Sequence, residues 1–549
     1  MKAIRISLMM VLIFAMQISI AQTTIGLTLN TGNNISDGYT LFSPMSSFNS
    51  YLIDRCGKQV KTWTSTYRPA LSSYLMNDGS LLRTGNAMNT FFNAGGRGGA
   101  IQKYDWNGNL VWSYIISDSI NCAHHDICAL PNGNVLVIAW QVKSSAVAVT
   151  NGRNPALVTP KVWSEQILEI QPVGSNGGNI VWQWNLWDHL VQEFDSTKAN
   201  YGGVESNPQL VNLNYNASST NADWIHLNSV DYNPALDQIV LSAHAFDEIW
   251  IIDHSTTTAQ AASHTGGNAG KGGDLLYRWG NPAAYNAAGV QKFFGQHNAY
   301  WIKPGMPYEN QIMVFNNGTA RPGGNYSTVE IINPPLNGFN YNSTLPYLPA
   351  GPTWIYNDAN TNNLFAQNIS GAQQLQNGNV IYTDGPSGEF VEIDSAGNKL
   401  WRYVNPIIST GPLTQGVNPT TNAVFHCNFY PPNFSGFSGK TLTSTTILEN
   451  TNILSSACNL TSGINTNELA HSFTMYPNPA NDYLQIEFEN SNSEKATAII
   501  YDNFGRVVKQ VNINSLNNRI EIDELSAGNY YLQLLGNSNS SIQRFSILR

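Results

Sequence analysis

Charge is what this chain most lacks. Only 11% of its 549 residues are charged, Lys+Arg 27 against Asp+Glu 36, giving a formal net charge of −9; soluble proteins average about 25%. So few basic residues remove the electrostatic footprint a nucleic-acid binder needs. Five cysteines (Cys56, Cys122, Cys128, Cys427, Cys458) are too few and too scattered for a disulfide scaffold in a chain this long. Cys122 and Cys128 are close enough in sequence to bridge, the odd count leaves a thiol spare, and all five read as structural. No Cys-x2-Cys or His-x3-His spacing argues for zinc. Helical periodicity is nearly absent. Beyond residue 20 nothing approaches the roughly 20 apolar residues of a membrane span.

Gly, Asn, Ser and Thr fill the space left by charge. With 45 Gly, 14 Trp and 25 Tyr, the composition predicts many short strands joined by tight turns. The start reads as an export signal: Lys2 and Arg5 precede an apolar run from Ile6 to Ile20 that closes on the small-residue cleavage site Ser19-Ile20-Ala21. That predicts a signal peptide at 1–21, a mature chain from about Gln22 without a transmembrane segment, and an exported protein.

Two patterns alternate between about residues 50 and 405. One is a strand, a polar turn and a strand ending in Trp63, Trp112, Trp182 or Trp401, with Asp274 to Trp279 as the far half of another copy. The other is a turn followed by an apolar strand, as in Asn77-Asp78-Gly79-Ser80, Pro131-Asn132-Gly133-Asn134 and Gln376-Asn377-Gly378-Asn379. Such hairpin pairs at long intervals predict radially arranged four-stranded blades. Five copies are clear, and the strand around Tyr39–Phe42 with the segment Ala423–Tyr430 completes a sixth. The expected fold is all-β, a six-bladed β-propeller over 22–440. A Ser/Thr/Asn-rich linker at 441–472 follows, then a small Ig-like β-sandwich at 473–549 whose strands run near Leu484, Ala496, Arg506, Arg519, Tyr530 and Gln543.

Ten histidines are few, yet several occupy equivalent places beside a blade's apolar strand: His124 and His125 in His-His-Asp, His226 in Trp-Ile-His-Leu-Asn-Ser, His244 after Ser242-Ala243, and His297 in Gly-Gln-His-Asn. In a propeller such positions converge on one central funnel. Imidazole suits a site that accepts a group and moves protons near neutral pH. A metal site is the rival use of the same residues, but no carboxylate-His spacing within a blade singles it out. The bland alternative is a set of histidines that hydrogen-bond across blade edges.

The tail resembles the type A C-terminal sorting domain of cargo of the type IX (Por) secretion system of Bacteroidetes. The match is carried by Tyr476-Pro477-Asn478-Pro479-Ala480, Tyr501-Asp502-Asn503-Phe504-Gly505-Arg506, Leu525-Ser526-Ala527-Gly528-Asn529-Tyr530 and the basic finish Gln543 to Arg549. It implies that the secretion machinery is a partner and that the protein is secreted or held at the cell surface. The aromatic positions of this tail read as core rather than as a sugar-binding face.

The propeller region, roughly 37–440, resembles the bacterial arylsulfotransferase family. The match runs through His124-His125-Asp126-Ile127, Trp187-Asp188-His189-Leu190, Asp223 to Tyr232, Glu248 to Ser255, Gly272 to Pro282, Phe294-Gly295-Gln296-His297 and Val314 to Gly318. The resemblance implies a six-bladed propeller that moves a sulfuryl group from an aryl sulfate donor to a phenolic acceptor, without metal, nucleotide or other cofactor. Carried over by position, it makes His297 the nucleophile of a sulfohistidine intermediate. His226 and one imidazole of the His124-His125 pair, taken as His125, become acid/base partners, and Asn228 and His426 become candidate substrate contacts. Arg321, in Arg321-Pro322-Gly323-Gly324, is a candidate anion contact near the channel, with a surface turn residue as the favoured reading. Relatives carry Arg where this chain has His244 and, in many cases, where it has His426; Arg offers a permanent charge and a planar fork that His does not. Those two replacements keep open a non-catalytic or altered propeller that binds an anionic or glycan ligand, and, third, a hydrolytic variant. His189 reads as part of a structural corner, hydrogen-bonded within its own loop.

Overall fold

Three of the predicted turns share one backbone solution. In Pro131-Asn132-Gly133-Asn134, the Leu130 amide donates to Asn134 O at 2.9 Å and the Gly133 amide to Leu130 O at 3.0 Å, with Gly133 at φ +88°. The turns at Gly79 and Gly378 repeat it at φ +81° and +93°, a region open to glycine at no steric cost. A computed structural model describes residues 23–342, 344–358, 364–450, 458, 473–488, 496–502, 506–513, 517–535 and 540–549. The expected signal peptide lies outside the described residues, and so does most of the expected linker.

The chain divides into two units, Met1–Ala457 and Cys458–Arg549. In the first, among the described residues, six antiparallel sheets of four or five strands follow one another. The second to fifth run simply from inner to outer strand: Pro69–Leu75 to Leu110–Ile115, Asn121–Ala129 to Gly177–Asn185, Leu227–Asn233 to Tyr277–Trp279, and His297–Trp301 to Trp354–Tyr356. The sixth, Gly371–Gln374 to Lys399–Val404, gains Gly26–Asn30 on its outer edge. The first sheet joins Tyr39–Phe42, Asn49–Asp54 and Gln59–Thr64 to Asn428–Tyr430, which pairs Tyr39 with Tyr430. The N-terminal strand and the C-terminal segment expected to come together do pair.

The repeated tryptophans join neighbouring sheets. Each donates its indole N–H to the following sheet or the loop that serves it: Trp63 to Asp105 O (2.9 Å), Trp112 to Gly177 O (2.8 Å), Trp182 to Thr256 Oγ1 (3.1 Å), Trp279 to Pro349 O (2.8 Å) and Trp401 to Arg55 O (2.8 Å). The last link runs from the sixth sheet back to the first, where Arg55 also stacks on Trp401 and pairs with Glu392. Trp63 and Trp401 are among the largest fully buried side chains; truncating such a residue costs about 3–5 kcal/mol. Innermost strands meet in the same cyclic order: Asn428 donates to Ser73 O at 2.8 Å and Gln373 to Phe429 O at 3.0 Å. They surround a cavity of about 640 Å³ to which all six contribute, through Tyr74, Asp126, Asp231, Tyr300, Gln373 and Asn428.

Cys122, Cys128 and Cys427 are free thiols, so Cys122 and Cys128 do not bridge; Cys56 and Cys458 are disulfide-bonded. Residues 445–450 hydrogen-bond to Gln59 and Leu413. In the second unit, a sheet of Phe473–Tyr476, Tyr483–Phe488 and Asn517–Glu521 and a sheet of Val507–Ile513, Ala496–Tyr501, Gly528–Leu535 and Ser540–Ile547 share one apolar core. Phe473–Tyr476 is a strand the sequence pattern missed. Tyr530 and Phe545 lie in that core, whereas Tyr476 and Tyr531 are exposed, which corrects the reading of all the aromatic positions as core.

Candidate functional site

Five of the six candidate histidines sit on an innermost strand or the segment next to it, and His244 sits in the short helical turn between Gln238–Ala243 and Glu248–Asp253; several of the innermost strands are irregular there. Pairing registers shift beside His124-His125, between Leu227 and Ser229, and between His297 and Tyr300. His125, His226 and Asn298 hold φ of +50°, +58° and +55°. A bulge breaks the strict alternation of side chains and re-aims one of them, and positive φ at non-glycine residues is strain that clusters at functional sites. The His125 ring lies against Gly96, where a Cβ would come within 2.0 Å of Cε1.

So delivered, the imidazoles form a chain. Ring centroids lie 5.1 Å apart for His124–His125, 4.5 Å for His125–His226, 5.1 Å for His226–His244 and 5.1 Å for His244–His297. Phe425 spans the arc, its centroid 6.3 Å from that of His125 and 6.2 Å from that of His297, and lies tilted against His426 at 4.8 Å. Three sheets and the C-terminal segment thus bring together all six candidate histidines. Asn228 is wholly buried; it donates to Gln296 O at 2.8 Å, and its Oδ1 has no partner. Arg321 lies elsewhere: its guanidinium is held between Phe294 and Tyr326 and donates to Thr328, none of them an imidazole of the cluster.

Hydrogen bonding settles which nitrogen of His297 carries hydrogen. Asn317 Nδ2 donates to Ala366 O (2.8 Å) and Ile369 O (2.9 Å), so its Oδ1, 2.8 Å from His297 Nδ1, must accept. Gly295 O, 3.1 Å from the same nitrogen, is also an acceptor. His297 is therefore the Nδ1–H tautomer, with the Nε2 lone pair free. Burial, with the neighbouring histidines, holds its pKa down at about 3 against the support of Asn317, so the lone pair survives across the working pH range.

His226 is the opposite case. Burial pulls its pKa down, but the charge and hydrogen bond of Asp223 at Nδ1, backed by Glu165, leave it raised. It is the imidazole of the group that can carry a proton near neutrality. Trp140 Nε1 donates to the other Asp223 oxygen at 3.1 Å, fixing the carboxylate. A third arrangement is a relay: Glu165 Oε2 meets His124 Nε2 at 2.9 Å, and His124 Nδ1 meets His125 Nδ1 at 2.8 Å. Glu165 is pushed well above the usual carboxylate range, first by burial and then by Asp223. With the proton on Glu165, His124 donates from Nδ1 and His125 carries its hydrogen on Nε2 as a donor; passing the proton from Glu165 along the relay puts hydrogen on His125 Nδ1 and leaves Nε2 an acceptor.

His124, His125 and His244 are held well below the usual imidazole range, first by burial. His426 is lowered to about 4, also by burial, and its Nε2 is buried without a partner. His189 does not bond within its own loop: its nitrogens meet Asp274 Oδ1 and Ala261 O, each at 2.8 Å, because the corner packs against the loop of the next sheet. Sequence reasoning missed Glu165, Asp223, Asn317, Trp140 and Phe425. Asp223 was legible three residues before His226, and Asn317 lay in a segment already singled out. Glu165 and Phe425 had no comparable signal.

The family model for arylsulfotransferase (ASST) matches residues 33–404, and that for the secretion system C-terminal sorting domain matches 474–548. No curated protein matches the chain. Among solved structures, hydrazine synthase of Kuenenia stuttgartiensis is 10% identical with a TM-score of 0.32, covering 70% of this chain and 80% of that one. A Lactobacillus plantarum protein is 8% identical with a TM-score of 0.31, covering 72% and 99%. Likenesses this distant carry no functional argument.

Proposed function

This chain belongs to the arylsulfotransferase family, and from that premise we propose that it transfers a sulfuryl group from a phenolic sulfate ester to a phenol through a sulfohistidine at His297. The proposed frame is a six-bladed propeller over 22–440, its sheets the blades, preceded by a signal peptide at 1–21. An Ig-like sorting sandwich at 473–549 follows the joining segment 441–472. The C-terminal sorting domain marks the protein for export through the type IX system to the cell surface or the medium. No helix among the described residues is long and apolar enough to cross a membrane.

In the first half-reaction the Nε2 lone pair of His297 attacks sulfur, the bond from sulfur to the aryl oxygen breaks, and the leaving phenolate takes a proton from His226 Nε2. In the second, an acceptor phenol returns that proton to His226 as its oxygen attacks sulfur and the N–S bond breaks. His125, fed through His124 and Glu165, offers a second N–H to the leaving or entering oxygen. His244, His426 Nε2 and Asn228 serve the sulfuryl oxygens, while Arg321 is too engaged with Phe294 and Tyr326 to be a first choice. General acid–base help of this kind contributes typically 10²–10⁴-fold. The observation that carries the reading is the Asn317 clamp, which orients His297 and leaves its outer nitrogen a free base.

A second reading rests on the cluster's charge. His124, His125, His244, His297 and His426 are all held neutral, and His244 stands where the resemblance places Arg, so less positive charge faces a sulfuryl transition state, and binding of an anionic or glycan ligand without turnover is the alternative. Intact-mass analysis after brief mixing with a chromogenic aryl sulfate separates the two. The transferase predicts a sulfuryl adduct mapping to His297 that disappears when phenol is added. No adduct and no phenol release would reject it.

A further inference from the structure

Away from the imidazole cluster, a second group of ligating atoms assembles where a long loop meets a corner. Residues 254–276 connect the strands Glu248–Asp253 and Tyr277–Trp279. That loop brings His264 and Asp274 against His189, which follows the short helical turn Leu186–Asp188. One oxygen, Asp274 Oδ1, lies 2.8 Å from His189 Nδ1 and 2.7 Å from His264 Nδ1. The two nitrogens and the oxygen all lie within 4.8 Å of one another.

His189 is held in one pose. Its Nε2 faces Ala261 O at 2.8 Å, its ring stacks on Trp184 with an interplanar angle of 5°, and Gly273 approaches so closely that a Cβ there would stand 2.6 Å from Nε2. A carbonyl only accepts, so Nε2 bears hydrogen, and Nδ1 is left facing a carboxylate oxygen at 2.8 Å, a contact that needs a positive centre, a proton or a metal ion, between the two atoms. A histidine anchored by its outer N–H to a backbone carbonyl, with the other nitrogen turned to a carboxylate, is the outer-shell pattern of a metal ligand.

We infer that His189 Nδ1, His264 Nδ1 and Asp274 form a divalent transition-metal site, best matched by Zn²⁺, that ties the 254–276 loop to the corner at His189. Two imidazoles and a carboxylate are a usual zinc donor set, and a fourth position remains for water. Metal–ligand bonds of about 2.0–2.2 Å require the three atoms to part slightly. His264 allows that, since its side chain is 60% exposed while those of His189 and Asp274 are 0% and 7% exposed. The same exposure gives the ion its way in. The role is structural and independent of sulfuryl transfer.

The test counts zinc on the full chain, stripped with chelator and dialysed at fixed free Zn²⁺. The parent should bind one more ion per chain than His264→Ala, an exposed substitution that leaves the core intact. His254→Ala should match the parent, because His254 pairs instead with Asp237 and Glu169. Zinc held by the channel imidazoles is common to all three proteins and cancels. Equal counts in parent and His264→Ala would overturn the site, as would an equal loss in His254→Ala.

Discussion

His426 should make the first unit sensitive to acid in a way that one substitution removes. Its ring is 5% exposed and its folded pKa is lowered from 6.5 to about 4 by burial. As pH falls below 6.5 the unfolded chain takes up a proton here that the folded chain refuses, so stability drops until the pH reaches about 4. The slope approaches about 1.4 kcal/mol per pH unit in the middle of this range, and the integrated loss between pH 6.5 and pH 4.5 is about 2 kcal/mol. His426→Gln keeps a polar side chain of similar reach beside Phe425 and Tyr74 but does not titrate. Urea unfolding read by tryptophan fluorescence reports the first unit alone, since no Trp lies beyond residue 401. The parent should lose about 2 kcal/mol relative to His426→Gln over that range. A difference flat to within about 0.5 kcal/mol would mean that the folded imidazole protonates as freely as the unfolded one, and the picture of a dry, neutral cluster would be wrong.

Three further outcomes follow from the same geometry. Glu165→Gln retains an acceptor for the Leu227 amide and an N–H for His124, so the fold should stand while the relay is frozen in one direction; initial rates should show kcat down about 10–100-fold with KM little changed. Asp223→Asn removes the charge that raises His226, so if protonated His226 is the acid, the alkaline limb of log kcat/KM against pH should move to lower pH. Gly96→Ala places a methyl on the His125 ring at a backbone φ of +75°; thermal melts should show a loss of about 1–3 kcal/mol, and turnover should fall with it.

Sequence carried the repeat, the turns and the convergence of histidines because each depends on local patterning. A Trp after a polar turn is visible in one dimension; that its indole N–H reaches the next sheet is not, although the link from Trp401 to Arg55 explains why the residue recurs. The six imidazoles were legible since each lies on or beside a strand of the repeat. Their protonation was not. Glu165 lies along Lys161–Val173 like any strand residue, and only the stacking order of one sheet, with a single strand between Lys161–Val173 and Asn121–Ala129, puts it against His124. His297 owes its tautomer to carbonyls at Ala366 and Ile369, in a segment with no motif. His189 was misread because its partners come from a loop more than seventy residues away in sequence.

The pairing of Tyr39–Phe42 with Asn428–Tyr430 has a consequence for how such a protein is made. The innermost strand of the first sheet is the last strand of the unit to emerge, so until it arrives that sheet offers an open inner edge and the funnel lacks the wall carrying Phe425 and His426. Open edges invite pairing with other chains. The histidine site is therefore the last thing assembled, and a truncated or stalled chain that stops short of residue 426 holds five imidazoles in an unfinished basin. Because the sorting domain follows that clasp in sequence, the signal that dispatches the protein is synthesised only after the residues that close its ring.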